Sequence, residues 1–207
     1  LKNPLKELSG RLLLHGAKTG SFPKNIPLNK DVCRLIGYYL AEGYVHSLKS
    51  RSNSKVIGLT FSKEEKNLIQ DVLEISQKYL GVLFNQTLNE RNNTIQLAVG
   101  NSIMAYVFET LFGDDCLKKQ VPDYFMYLPL EKQRELLRGL FRGDGHLRLR
   151  SKGPGTEYIY STCSNKLATQ VYLMLLRFST FPSFRIPKIG KKGKNQAYVV
   201  ALSHEDI

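Results

Sequence analysis

The sequence contains one kind of nine-residue run twice, first as Leu35-Ile36-Gly37-Tyr38-Tyr39-Leu40-Ala41-Glu42-Gly43 and then, 102 residues later, as Leu137-Arg138-Gly139-Leu140-Phe141-Arg142-Gly143-Asp144-Gly145. Each run ends an apolar segment of helical length, at 31–41 and at 131–143. Small residues recur four positions apart, which leaves one face of each helix bare and lets two backbones approach closely. A glycine inside a soluble helix costs ~1 kcal/mol of stability relative to alanine. Because both helices contain such a glycine, we infer that the helices pack tightly there. We therefore assign Gly37, Ala41, Gly139 and Gly143 to a contact between the two helices.

The two copies resemble each other beyond these helices. Each helix, the first with Asp31 as its start signal, is followed by two segments with β character, an amphipathic helix and two more strands. Ser62 and Ser164 stand where each amphipathic helix needs an N-cap. Residues 49–55 are typical of a hairpin loop, and only the first copy continues into a further helix, near 102–112.

This order predicts an α+β fold built from two αββαββ repeats. The first repeat covers 30–127 and the second covers 128–207, where it is cut short at its carboxyl end. Residues 1–29, rich in Lys and Gly, form an N-terminal extension or linker. The chain begins with Leu and is expected to be a piece of a larger polypeptide.

The composition favours a nucleic-acid partner. Thirty Lys and Arg against eighteen Asp and Glu give a formal charge of +12, which attracts polyanions, although a ribosomal protein or a binder of anionic membranes would also carry it. No run approaches the ~18 apolar residues that cross a bilayer. The three cysteines are far apart and include no C-x-x-C pair, so neither a disulfide framework nor a zinc site is indicated. We expect a reducing intracellular compartment, cytoplasm or organelle matrix, and no membrane partner.

The two acids at the helix ends are the candidates for chemistry. Glu42 and Asp144 lie where the negative end of the helix dipole disfavours an anion, and a divalent cation would reverse that effect. The preceding residues, Ala41 and Gly143, are included in the predicted metal site. The alternative is that both acids are solvated helix-end residues, each followed by a glycine C-cap.

Both runs match the signature of the LAGLIDADG (DOD-type) homing endonucleases, and the chain resembles that family over roughly residues 30–202. The eighth motif position is the family's catalytic acid, here Glu42 and Asp144. The sixth, often acidic, is Leu40 or Arg142. The resemblance implies a monomer with a pseudo-twofold axis through the motif helices, and two β-sheets that form a saddle on double-stranded DNA. It further implies an endonuclease that hydrolyses phosphodiester bonds at a long recognition site, with Mg²⁺ as cofactor, for which Mn²⁺ can substitute.

A second resemblance nominates a lysine. Lys118-Lys119-Gln120-Val121-Pro122 resembles the K-x-[IV]-P segment of intein-associated members, in which a lysine approaches the scissile phosphate; this nominates Lys119 as catalytic. The alternative is a basic linker that contacts the DNA backbone. Lys119 is expected beside Glu42, and the equivalent lysine for Asp144 would fall near position 222, outside this chain.

Basic residues in or beside the strands are the candidates for DNA binding, because alternate residues on one sheet face can read the major groove. Any one of them could instead be only solvated. The set comprises Lys49, Arg51, Lys55, Arg91, Arg148, Arg150, Lys152, Arg185 and Lys188, with Lys191, Lys192 and Lys194 expected on phosphates.

Other functions remain open at this point. The chain could be a non-cleaving LAGLIDADG relative that acts as an intron-RNA maturase or as a DNA-binding regulator. It could also be one part of a larger polypeptide such as an intein, because the segment at 118–122 has an intein-like pattern.

Overall fold

The computed structural model describes residues 5–8, 10–14, 21–48, 51–149, 155–189 and 194–203. The helices are α1 (Lys30–Glu42), α2 (Lys66–Ile75), α3 (Ser102–Phe112), α4 (Leu130–Asp144) and α5 (Asn165–Leu176). The strands are β1 (Leu5–Leu8), β2 (Arg11–Leu14), β3 (Phe22–Pro23), β4 (Gly43–Leu48), β5 (Arg51–Ser62), β6 (Asn85–Asn89), β7 (Thr94–Val99), β8 (Gly145–Leu149), β9 (Thr156–Thr162), β10 (Ser183–Arg185) and β11 (Tyr198–Ser203). A π-helical turn, Ser76–Leu80, extends α2, and a 3₁₀ turn, Asp123–Tyr127, precedes α4.

The two repeats have the same topology, which confirms the predicted α+β fold. Each contains a four-stranded antiparallel sheet, in the order β4-β5-β7-β6 for the first repeat and β8-β9-β11-β10 for the second. Each sheet follows the helix-strand-strand-helix-strand-strand order along the chain. The additional helix expected near 102–112 is α3.

The motif helices α1 and α4 pack backbone to backbone. A Cβ added at Gly37 would lie 2.2 Å from the carbonyl oxygen of Leu136, and one added at Gly139 would lie 2.2 Å from that of Arg34. These contacts are reciprocal, since Arg34 and Leu136 are equivalent at the 102-residue offset. A contact in which each partner presents the same patch is what a twofold axis requires.

The contact between α1 and α4 is the helix seam. Towards the amino-terminal ends of these two helices, an ion-pair network links α1 to α2 and α4. The Arg34 guanidinium donates to Asp71 on α2 at 2.6 and 2.9 Å, and to Glu135 on α4 at 2.8 Å. The hydroxyl of Tyr38 also donates to Asp71, at 2.9 Å. Because these groups are buried or half-buried, one guanidinium fixes the relative position of three helices through charge-assisted hydrogen bonds.

Two predicted start signals were wrong by a few residues. The side chain that caps α1 is Asn29, whose oxygen accepts from the Val32 backbone N–H, and Asp31 lies in the first turn. Ser62 remains in the β ladder opposite Thr94, so α2 begins only at Lys66. Ser164 caps α5 as predicted, accepting from Leu167 at 3.1 Å.

The first hairpin is shorter than predicted, because β5 already begins at Arg51 rather than after residue 55. The amino-terminal region contains β1, β2 and β3, which form an antiparallel sheet. Phe22 of β3 is buried in the core, and the Arg11 guanidinium donates to the Leu80 carbonyl at 3.0 Å. This small sheet therefore packs on the first repeat. Within the described residues, no helix has the length and apolarity needed to cross a bilayer.

We predict that Gly139→Ala destabilises the protein even though alanine is the better helix former. Alanine gains ~1 kcal/mol of helix propensity. Its Cβ would meet the Arg34 carbonyl at 2.2 Å, and a backbone atom cannot rotate away. Overpacking costs ~1–3 kcal/mol or more. The midpoint of thermal unfolding should fall by several degrees, at about 2–4 °C per kcal/mol.

Gly100→Ala is the matched control, because a Cβ there has nothing within 4 Å. Its unfolding midpoint should equal or slightly exceed that of the native chain. An unchanged midpoint for Gly139→Ala would contradict the close backbone contact.

Candidate active site

The two motif acids lie at one end of the helix seam. Glu42 and Asp144 are the last residues of α1 and α4, and both are half-buried. A Cβ added at Gly143 would lie 2.5 Å from the Ala41 Cβ and 3.4 Å from a carboxylate oxygen of Glu42. The small residues at this end therefore let the two helix ends, and the acids that they carry, approach one another.

A glycine C-cap follows each acid, as the alternative of ordinary helix-end acids expects. Gly43 and Gly145 have φ of −84° and −86°, and they donate their backbone N–H groups to the Tyr39 and Phe141 carbonyls. Glycine is also required for space, since a Cβ at Gly43 would lie 2.1 Å from the Tyr39 ring. The acids themselves are half-buried and not fully solvated.

Both acids are in an environment that disfavours their charge. Burial, followed by the charges of Asp144 and Glu65, raises the pKa of Glu42 from 4.5 to about 7. Burial raises the pKa of Asp144 from 3.8 to about 6, and the Lys119 ammonium opposes that rise. Neither carboxylate forms a hydrogen bond to another group in the described part of the chain. These unsatisfied hard oxygens suit a divalent cation, and the Ala41 and Gly143 carbonyls at the helix ends are donors of the same kind.

Lys119 is buried beside this pair. Its side chain is 3% exposed, its Nζ donates to the Tyr39 carbonyl at 2.8 Å, and that ammonium lies 3.6 Å from the Tyr39 ring centroid. Burial lowers the pKa of Lys119 to about 7, against the opposing charges of Asp114 and Asp144. The hydroxyl of Ser164 donates to the Lys119 carbonyl at 2.6 Å and so anchors its backbone to the second repeat.

Lys119 contacts both repeats. Its Nζ bonds the Tyr39 carbonyl of α1, three residues before Glu42, and the charges of Asp114 and Asp144 act on its ammonium. The segment after α3 lies against α5, where Gln170 bonds both backbone groups of Val121, at 2.7 and 2.9 Å. The pairing of Lys119 with Glu42 stays a prediction, and the structure adds Asp144 as an acid whose charge acts on the lysine.

The outer face of the first sheet carries neutral hydrogen-bonding groups. Ile57 and Leu59 of β5 are buried against the helices, so the residues between and beside them face the opposite way. The register places Gln96 between Thr60 and Thr87 on that face. The described polar residues of this outer face are Tyr44, His46, Thr60, Ser62, Asn85, Thr87, Asn89, Thr94 and Gln96. We nominated only basic residues from the sequence and therefore missed these neutral ones. The two-residue alternation of the strands is the signal that identifies which residues share this face.

The outer face of the second sheet carries charge. The Tyr158 ring stacks on Phe141 and the Tyr160 ring packs against it at a tilt, both on the helix side, so Glu157 lies on the outer face. Arg148 lies opposite Glu157 in the ladder, and Arg185 pairs with it at 2.7 Å. Two of the predicted DNA-binding residues therefore share this face.

The remaining DNA-binding predictions have mixed outcomes. The prediction that Lys55 lies on the DNA-binding face is wrong. Its ammonium pairs with Glu109 on α3 and lies over the Tyr106 ring, on the helix side of the sheet. Arg91, Lys188 and Lys194 are exposed outside the strands. Arg51 is described only as the first residue of β5, and Lys49, Arg150, Lys152, Lys191 and Lys192 lie outside the described residues.

Comparison with known proteins agrees with this architecture. Residues 131–207 match the family model described as a LAGLIDADG-like domain. The structure of I-DmoI in complex with DNA and Mn aligns over 86% of this chain and 92% of that one, with a TM-score of 0.62 and 14% sequence identity. This chain has the LAGLIDADG homing-endonuclease fold. I-WcaI bound to its DNA recognition sequence aligns over 88% of this chain and 80% of that one, with a TM-score of 0.53 and 15% identity.

Curated proteins that are similar to this chain in sequence are much longer than it. An uncharacterized protein of Methanocaldococcus jannaschii is 30% identical over 97% of this chain, which spans 23% of that relative. The ATP-dependent DNA helicase Hel308 of Thermococcus kodakarensis is 31% identical over 83% of this chain, which spans 15% of the helicase. The chain thus spans less than a quarter of the relatives that it matches.

We predict that Glu42→Gln stabilises the metal-free protein at high pH and not at low pH. The pKa of Glu42 is raised from 4.5 to about 7, so the folded state binds its proton more tightly than the unfolded state does. Below about pH 4 both states are protonated, and the native chain loses stability relative to the variant as the pH rises towards 7. After allowance for solvent screening of this half-buried group, the gain at pH 8 is on the order of 1 kcal/mol.

Thermal unfolding in a metal chelator at pH 4 and pH 8 measures this difference. Glu64→Gln, which neutralises an exposed glutamate, is the control and should leave the midpoint nearly unchanged at both values. Equal midpoints for Glu42→Gln and the native chain at pH 8 would show that the Glu42 charge is not disfavoured in the fold.

Proposed function

We propose that this protein is a site-specific, metal-dependent double-strand DNA endonuclease of the homing type. The observation that carries the proposal is the convergence of Glu42, Asp144 and Lys119 at one end of the helix seam. Two half-buried acids with raised pKa values and a buried lysine with a lowered one destabilise the fold. Such groups are typical of catalytic sites.

The donor set fits Mg²⁺ or a similar divalent cation. The Glu42 and Asp144 carboxylates and the Ala41 and Gly143 carbonyls would hold it, since all are hard oxygen donors at the two converging helix ends. When bound, the cation supplies Lewis acidity for phosphodiester hydrolysis. The dipoles of α1 and α4 direct their negative ends at this place and favour positive charge there.

Lys119 would act on the DNA strand that is cleaved at Asp144. With a pKa of about 7 its amine holds a proton part of the time at neutral pH, and it can donate that proton or stabilise negative charge on the phosphate. Its Nζ is held by the Tyr39 carbonyl and ring, so little reorganisation is needed when charge develops. In this role Lys119 is a catalytic residue that positions and polarises the reacting groups.

The two sheets would hold duplex DNA against this site. The net charge of +12 supplies long-range attraction to the phosphates. Arg148 and Arg185 on the second sheet can read guanine edges or bind phosphates. The amides of Asn89 and Gln96 on the first sheet match the donor and acceptor pattern of adenine. The structurally similar I-DmoI is in complex with DNA and Mn in one structure and with DNA and Ca in another. This similarity supports duplex DNA and a divalent cation as the partners in this proposal.

We further propose that the chain is an insert within a longer polypeptide of the intein type. The relatives that support this idea include a helicase and the DNA polymerase II large subunit of Thermococcus kodakarensis. The latter is 34% identical over 58% of this chain, which spans 6% of it. A short match within long DNA-processing proteins is typical of an embedded nuclease. The intein-like segment at Lys119–Pro122 agrees with that origin.

We predict that Glu42→Gln and Asp144→Asn each abolish double-strand cleavage while DNA binding survives. Each carboxylate serves one strand, so loss of either leaves at most a nick. A randomised duplex library with Mn²⁺ identifies the cut site, and gel shifts on that site measure affinity. Double-strand cutting should fall by at least about 100-fold, the scale for loss of one electrostatic group in an active site.

Glu64→Gln is the control for charge and should cut normally. Full double-strand cutting by the Glu42→Gln, Asp144→Asn double variant would refute the assignment. Selective binding of structured intron RNA without duplex cleavage would favour the maturase alternative instead.

We predict that Lys119→Met slows one strand more than the other. The charges of Lys119 and Asp144 act on each other, so we expect the strand processed at Asp144 to depend on this ammonium. With the two strands labelled separately, that strand should be nicked about 10²–10³-fold more slowly and its partner much less. Lys118→Met, which removes an exposed ammonium bound to Asp114, is the control. Equal slowing of both strands would contradict the one-sided placement.

A further inference from the structure

Two cysteines that are distant in sequence come together next to the candidate active site. Cys116 is exposed in the segment after α3, and Cys163 is half-buried immediately after β9. Both are free thiols, and each interacts directly with the other. Sequence spacing could not predict this pair, because its members are 47 positions apart and the whole of α4 lies between them.

The backbone around both cysteines is held in place by neighbouring contacts. Ser164, next to Cys163, donates its hydroxyl to the carbonyl of Lys119, three residues after Cys116, at 2.6 Å. The Gln170 side chain bonds both backbone groups of Val121 and so anchors the same segment. The Asn195 amide reaches the Cys116 sulfur at 3.9 Å. These contacts hold the segment that carries Cys116 against the residue that follows Cys163.

The pair adjoins the groups proposed for catalysis. Cys116 lies on the same short segment as Lys119 and within electrostatic range of its ammonium. Cys163 lies within electrostatic range of Asp144. A covalent bond between the thiols would tie the segment that carries Lys119 to the end of β9. A displacement of about 1 Å at a catalytic group can lower a rate on the order of 100-fold.

We propose that Cys116 and Cys163 form a reversible disulfide that displaces Lys119 and lowers cleavage of the strand at Asp144. The oxidant is a peroxide. The exposed Cys116 thiolate attacks the O–O bond, gives a sulfenic acid and releases one water after proton transfer. Cys163 sulfur then attacks the sulfenic sulfur and releases a second water, so two thiols lose two electrons and one peroxide gains them. A dithiol reductant reverses the reaction by thiol–disulfide exchange.

The first test measures the bond without reference to nuclease activity. The purified chain is treated with hydrogen peroxide, blocked with a thiol alkylator and examined as intact protein and as peptides by mass spectrometry. The monomer mass before alkylation should fall by about 2 Da, the two hydrogens lost. A cross-linked peptide should contain Cys116 and Cys163, and buried Cys33 should stay a thiol. The variants Cys116→Ser and Cys163→Ser should each fail to form the bond.

The second test rests on the proposed nuclease function. Oxidised protein should nick the strand at Asp144 at least about tenfold more slowly than reduced protein, and a dithiol reductant should restore the rate. Cys163→Ser should keep its rate in peroxide, and Cys33→Ala, which leaves the pair intact without placing a hydroxyl in the core, should be inhibited by peroxide like the native chain. If the reduced protein cuts no DNA, the nuclease proposal fails while the mass measurement still decides on the disulfide.

Three results would overturn the inference. A peroxide-treated monomer without the cross-linked peptide would refute the pair. A disulfide between two chains through Cys116 would assign the exposed thiol to a different reaction. Equal nicking rates for oxidised and reduced protein, with the disulfide present, would remove its effect on Lys119.

Discussion

The approach of two backbones at Gly37 and Gly139 is the constraint on which the remaining structure depends. With each glycine placed under a carbonyl oxygen of the other helix, α1 and α4 run side by side without intervening side chains. The reciprocity of the two contacts orients the repeats about a twofold axis. The helix ends converge as a consequence, and each sheet then begins directly after the acid that ends its helix.

This arrangement carries an electrostatic cost that is concentrated at one point. Two carboxylates come together where both helix dipoles are negative, and burial raises the pKa of each. Tyr39 balances part of that cost by holding the Lys119 ammonium with its carbonyl and its ring. Its hydroxyl donates to the Gly113 carbonyl at 2.6 Å, and its ring packs on Phe108. One tyrosine thus joins the acidic end of the seam to the helix that follows the first sheet.

The two repeats share a topology and differ in their surfaces. In the first repeat α3 covers the helix side of the sheet, whereas the equivalent surface of the second forms an apolar cavity of about 380 Å³, lined by Phe141, Tyr158 and Leu202 among others. The outer faces differ as well, since neutral amides and hydroxyls dominate the described part of the first and the Arg148, Arg185 and Glu157 charges mark the second. Two DNA half-sites bound by these faces would be read by different chemistry.

The sequence by itself determined the repeat, the fold class and the two acids. These features are local or periodic signals in the sequence. Small residues four apart indicate a bare helix face, residues that alternate in polarity indicate a strand, and an acid at a constant offset indicates a repeat. Helix α3 and the Ser164 cap were predictable for the same reason. Cap positions such as Asn29 and Glu65 were not, because the β ladder and the preceding chain compete for the same residues.

Only the tertiary structure decided which groups meet across the chain. It held Lys119 against the Tyr39 carbonyl within range of the Asp144 charge, turned Lys55 towards Glu109, and brought Cys116 to Cys163. These outcomes depend on where one segment crosses another and on which face of a strand a side chain occupies. No local propensity records such information, since a shift of one residue in a strand reverses the face and leaves composition unchanged.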